Sequence, residues 1–295
     1  MKTEKMKAAY GAARRILREK QTVEEQQVID DVSGDDIVVV RGQYDRVEEV
    51  LGVMDMPHVV VDPAQLARLT LRPDQMLVVN CPGNIDRKSI LQVRKFVNSG
   101  GSLFTTDWAL KFVLEPAFPG IVKFNDKATP DAVVAVQPSA SDNPMLDGIF
   151  DDSADPQWWL ERSSYPIEIL KPRKVEVLVE SAEIGRRWGE SPVVISFEYG
   201  LGEVLHMISH YYLQRTELRS ARHSNNWRNY AAEKSAMMST VGAPAEYDDL
   251  NVGEVEAAYT STRMFSNSVM RHKWRMMEKE SENSEPENAD TEDSK

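Results

Sequence analysis

The sequence predicts an α/β fold, a doubly wound and mostly parallel sheet with added N- and C-terminal helices. Three observations predict it. Between residues 36 and 107, short apolar runs alternate four times with segments of helical period. The runs are continuous and rich in valine and isoleucine, the pattern of strands buried on both faces. One stretch, residues 75–108, contains a whole strand–helix–strand unit with its stops.

Taken in order, residues 1–33 read as one N-terminal helix, because Met6, Tyr10, Ala13 and Leu17 recur on one face. Ser33-Gly-Asp-Asp36 is a turn, and residues 37–40 form the first strand. Val47, Val50 and Leu51 mark a helix, residues 58–61 a second strand, and Pro63 opens the helix 64–69. Residues 76–79 make the third strand, stopped by Pro82-Gly83. Ile90, Leu91, Val93, Phe96 and Val97 then fall at helical spacing, and Gly100-Gly101 ends that helix. Residues 103–106 are the fourth strand, with Asp107-Trp108 at its turn. Further on, residues 121–124, 132–136, 175–179, 192–197 and 203–209 read as strands that extend or flank the sheet, the last two joined by the tight turn Tyr199-Gly-Leu-Gly202. The aromatic runs at Trp158-Trp159 and Tyr165 read as core or as cover for a pocket. The expected divisions are an N-terminal helix at 1–33, an α/β domain at 34–216, a C-terminal helical extension at 217–279 and a disordered acidic tail at 280–295. The basic run Arg271-His-Lys-Trp-Arg275 reads as a solvated helix end.

Composition narrows the function classes. The 295 residues are 41% hydrophobic, enough for a real core, and carry a formal charge of −12. From Glu278 on there are eight acids and two lysines, so half of the charge belongs to that stretch. A general nucleic-acid-binding surface is not expected. No apolar run approaches the roughly 20 residues that a membrane span needs. The charged start lacks the apolar core of a secretory signal, and one cysteine cannot form an intrachain disulfide. The expectation is a cytoplasmic protein with a protein partner or a small polar ligand, open to homo-oligomer formation.

Three motifs carry a resemblance. They are Val78-Val-Asn-Cys-Pro-Gly83, Phe96-Val-Asn-Ser-Gly-Gly-Ser-Leu-Phe-Thr-Thr-Asp107, and Pro192-Val-Val-Ile-Ser-Phe-Glu-Tyr-Gly-Leu-Gly-Glu-Val-Leu-His206 running on to Ser209-His210. With them, residues 36–212 resemble the class I glutamine amidotransferase-like superfamily, nearest its ThuA-like and catalytically degenerate branch. The resemblance implies a flavodoxin-like three-layer sandwich. It also implies a nucleophile elbow after the fourth strand, with a cysteine that attacks a glutamine amide and a late histidine and acid to serve it. At the elbow this chain reads Thr105-Thr-Asp-Trp-Ala109, so Asp107 stands where the cysteine would be. His210 matches the histidine, and Tyr212 stands where the acid is expected.

The resemblance thus implies a non-catalytic binding or scaffold protein using the old cleft, with Asn84, Asp107, Trp108 and His210 as ligand-binding candidates. The alternatives are a hydrolase using Cys81 or Asp107 with His210, or a ThuA-like sugar-processing protein. Cys81 has a plainer reading as a small apolar filler, and Asp107 one as a cap on the next helix. No cofactor is expected. No metal site is expected either, since Asp107 and His210 alone are too few ligands.

Overall fold

The computed structural model describes residues 2–151, 154–211 and 215–284. The elements are α1 (Lys2–Lys20), α2 (Val23–Asp30), β1 (Ile37–Val40), α3 (Val47–Val53), β2 (Val59–Val61), α4 (Pro63–Leu66), β3 (Met76–Val79), α5 (Arg87–Asn98) and β4 (Ser102–Thr106). A wide helical turn at Leu110–Leu114 leads into α6 (Glu115–Ala117). Then follow β5 (Val122–Phe124), β6 (Ala132–Ala135), β7 (Gln137–Pro138), β8 (Gln157–Leu160), β9 (Ile167–Ile169) and β10 (Glu176–Glu180). The chain continues through α7 (Ala182–Trp188), β11 (Pro192–Tyr199), β12 (Gly202–Met207), α8 (Trp227–Glu233) and α9 (Val252–Ser284).

The central sheet has eight strands in the order β2-β1-β3-β4-β12-β11-β10-β7. The first five run parallel. The hairpin β11–β12 reverses the direction, and β10 and β7 add antiparallel strands. The four alternations between residues 36 and 107 therefore make four parallel strands. Every residue of β1, β3 and β4 is buried; β1 and β3 are accordingly apolar without alternation, while β4 also buries the hydroxyls of Ser102, Thr105 and Thr106. β2 lies at the edge and exposes Val59. The strands expected at 121–124 and 132–136 do not extend this sheet. They pair with β9 and β8 in two separate ribbons. The turn at Gly200 needs glycine, since its φ is 62° and a Cβ there would lie 2.5 Å from the Asn98 carbonyl oxygen.

The terminal segments differ from the sequence reading. In place of the one helix expected at 1–33 there are two, α1 and α2. Thr22 breaks them, its hydroxyl accepting from the Glu25 N–H while the Glu25 carboxylate accepts from the Thr22 N–H. Met6, Tyr10, Ala13 and Leu17 are all buried as expected, but Ala9, Ala12 and Ile16 are buried too, because α1 is wedged against both α9 and α3. α9 reaches Ser284, beyond the expected boundary at 279, and residues 285–295 of the expected tail lie outside the described residues.

α9 is also not a solvated extension. Residues 257–270 are buried throughout. A helix that passes through a core needs small or self-satisfied side chains, and the hydroxyls of Thr260, Ser261 and Thr262 donate to carbonyl oxygens one turn back. The basic run at its far end clamps the amino edge of the sheet. His272 bonds Ser102 Oγ at 2.9 Å and the Asp74 carbonyl at 2.8 Å, Arg271 reaches Glu203 at 3.1 Å, and Lys273 pairs with Asp36. That side chains so spaced find anchors at the starts of β4, β12 and β1 reflects the parallel register, which brings those strand starts together.

Candidate functional site

With α9 on the amino edge, the carboxyl edge of the sheet stays open. Residues leave β1, β3, β4 and β12 there side by side, so loops distant in sequence meet. They enclose a cleft of about 330 Å³ lined by Tyr44, Cys81, Asp107, Trp108, Glu161 and His210, together with Arg162 and Ser163. A larger groove, about 600 Å³, lies beside α5, but among the described residues no carboxylate, histidine or cysteine lines it.

The strand ends are tied to one another before any ligand arrives. The Cys81 N–H donates to Thr106 Oγ1 at 3.0 Å, joining the ends of β3 and β4. The Cys81 carbonyl accepts from the Gln43 and Tyr44 N–H groups, which folds the β1 loop over β3. This contact requires glycine at position 42, where a Cβ would stand 2.4 Å from the Cys81 oxygen. Buried Asp45 accepts from the Tyr211 N–H at 3.0 Å and so fixes the segment that carries His210.

Asp107 turns the chain out of β4. Its N–H donates to the Met207 carbonyl at 2.8 Å, and its φ is 43°, a left-handed conformation that Asp tolerates better than most residues. The side chain does not cap the following turn, contrary to the plain reading. Instead Oδ1 accepts from the Tyr165 N–H at 2.8 Å and Oδ2 from Ser164 Oγ at 3.1 Å, and Oδ2 lies 3.4 Å from His210 Nε2. On the other side of the ring, His210 Nδ1 is 2.6 Å from Glu161 Oε2. One ligand-type atom from each of Cys81, Asp107 and His210 falls within 4.8 Å of the other two.

Electrostatics follow from this packing. Burial pushes the Cys81 thiol up to about 11; His210 pulls against that and Asp107 adds to it. Burial acts to lower the His210 pKa, but Asp107, Cys81 and Glu161 outweigh it and hold the imidazole well above its ordinary value. Burial also raises the Asp107 carboxyl, with His210 as the chief opposing influence. Two carboxylates and a thiol face the His210 ring and favour its charged form.

Of the candidate residues, the structure brings Cys81, Asp107, Trp108 and His210 together. Trp108 forms a wall of the cleft, its indole N–H donating to the Ser163 carbonyl and its ring stacked on Tyr165 at 5.3 Å. Asn84 is not brought in; it is exposed and does not line the cleft, because the chain turns away toward α5 after Gly83. Tyr212 lies outside the described residues. The acid beside His210 is Glu161, which sequence reasoning missed along with Ser164 and Tyr44. The aromatic run before it was the one available signal, as possible cover for a pocket.

No family model and no curated protein matches this chain. Among solved structures, a candidate GMP synthase component from Thermoplasma acidophilum is similar at 13% identity and a TM-score of 0.47, over 83% of this chain and 96% of that one. A candidate ThuA-like protein from Bacteroides uniformis is similar at 12% identity and a TM-score of 0.39, over 61% and 83%. The β-galactosidase of Bacillus circulans sp. alkalophilus is similar at 13% identity and a TM-score of 0.42, over 65% of this chain, which spans 31% of that enzyme's length. Likenesses this loose do not bear on what the site does.

Proposed function

We propose that this chain is a binding protein built on an amidotransferase-like, doubly wound three-layer sandwich, and that its carboxyl-edge cleft takes a small polar ligand rather than hydrolysing glutamine. In this reading residues 34–216 are the α/β domain, and the helical segments on either side brace it. The observation that carries the reading is the chemistry at the turn after β4. Asp107 stands at the left-handed turn, and an ionised carboxylate there is an acceptor that forms no thioester. Cys81 beside it is 1% exposed with its thiol raised to about 11, so the thiolate that acyl transfer needs is scarce. What the cleft does offer is a charged imidazole, Arg162, the Glu161 carboxylate and the Trp108 and Tyr44 rings, which suit a small molecule with both polar groups and a flat or apolar face.

A hydrolase using Cys81 has one observation in its favour, the approach of Cys81, Asp107 and His210 to within 4.8 Å. Thermal-shift screening of small carboxylic acids, amides and sugars separates the readings. The binding reading expects a compound that raises the melting temperature of the wild type and of Cys81→Ala but not of His210→Gln. A compound consumed by the wild type and left intact by Cys81→Ala would overturn it.

A further inference from the structure

We propose that Cys81, Asp107 and His210 form a three-ligand site for a zinc-type divalent transition metal, with the fourth position open to the cleft. The proposal deepens the binding reading and rests on it for the accessibility of that fourth position. Four observations carry it.

The first is the donor set. A thiol sulfur, an imidazole nitrogen and a carboxylate oxygen converge from the ends of β3, β12 and β4, each within 4.8 Å of the others. Sulfur and nitrogen donors select borderline and soft metals over calcium or magnesium. The second is spacing. Bonds of about 2.0–2.3 Å to a tetrahedral centre place ligand atoms about 3.3–3.7 Å apart, and His210 Nε2 lies 3.4 Å from Asp107 Oδ2. The third is a loosely held atom. His210 is 4% exposed, and its Nε2, aimed at Asp107 and Cys81, makes no well-formed hydrogen bond among the described residues; its contact is the ion pair with Asp107 Oδ2 at 3.4 Å. A buried ring nitrogen held only at that distance is short of a close partner, which a bound ion would supply.

The fourth is the layer behind the ligands. A metal-bound histidine commonly donates its other N–H to a carboxylate, which fixes the ring and strengthens it as a ligand. Here Nδ1 meets Glu161 at 2.6 Å. Asp107 is likewise held by the Tyr165 N–H and the Ser164 hydroxyl. The sequence reading weighed Cys81 beside His210 as a nucleophile and did not count its sulfur as a ligand; the supporting acid comes from a remote loop. Binding replaces the thiol proton and the imidazole Nε2 proton with the metal, and both protons go to solvent. No redox change is involved.

The test uses the full chain, free of any affinity tag and stripped with a chelator, titrated with zinc by calorimetry and with cobalt by absorption. The proposal expects one equivalent of zinc and a cobalt spectrum with a thiolate charge-transfer band and the strong visible bands of four-coordination. Cys81→Ser should abolish the charge-transfer band and weaken zinc at least tenfold. Glu161→Gln, at a partly exposed position, should weaken zinc by about 10–100-fold while keeping the band. Absence of saturable zinc binding in the wild type, or affinity unchanged in both variants, overturns the metal site. A small-molecule thermal shift that survives that outcome would leave the binding reading standing alone.

Discussion

At the residue scale the account turns on two atoms, the Cys81 sulfur and the His210 Nε2. The sequence made Cys81, Asp107 and His210 candidates because each ends an apolar run and would sit on one sheet edge. It did not reveal Glu161, which is 49 residues from the ring it contacts and belongs to no spacing motif. Nor did it reveal that Asn84 turns away, since a single exposed turn residue leaves no periodic trace. Because burial raises the Cys81 thiol to about 11, its reaction with iodoacetamide should be slow. With no other cysteine in the chain, intact mass reads this one site. At neutral pH, labelling of the native protein should be roughly a hundredfold slower than in urea, from the smaller thiolate fraction alone. Equal rates in the two states would mean an exposed, ordinary thiol.

At the element scale, the strands were readable because burial on both faces demands apolar residues, as in β1 and β3. α7 was not, since Ile184 is its one buried residue and leaves no stripe. The break between α1 and α2 was written in the sequence as Thr22-x-x-Glu25, a capping signal overridden by the apolar stripe of α1. The β1 loop gives the sharpest test of how elements build the site. Gly42→Ala forces a methyl onto the Cys81 carbonyl and the Asn80 side chain. It should destabilise the fold by about 1–3 kcal/mol in urea unfolding, as overpacking does. It should also weaken ligands of the cleft, since Tyr44 moves with the loop. A variant as stable as the wild type would show that the loop is free to shift.

At the scale of the whole molecule, one apolar core runs from α1 through the sheet to α9. The sequence concealed this, because the hydroxyl-rich α9 reads as polar while its hydroxyls are spent on its own carbonyls. Four histidines are buried, and burial dominates the titration of two of them. Burial lowers His206 to about 3 and His272 to about 4. An imidazole that stays neutral when folded but takes a proton near its ordinary pKa of about 6.5 when unfolded penalises folding at acid pH. Its contribution to stability is therefore intact above that value and declines as pH falls toward the folded pKa. Each group costs up to about 1.4 kcal/mol per pH unit across that window. His210, held above its ordinary value, acts the other way and favours the fold on the acid side. Comparing His206→Gln with the wild type isolates one buried ring. The variant should lose less stability than the wild type between pH 7 and pH 5 in urea melts. Parallel losses would mean that His206 is protonated in the folded state.

The central claim is that the cleft binds and does not transfer acyl groups. Ammonia release from glutamine, measured for the wild type with Cys81→Ala alongside, tests it most directly. The account predicts no release above the buffer rate from either protein. Release by the wild type that disappears in Cys81→Ala would contradict it and make Cys81, with His210 and Glu161, a working nucleophile.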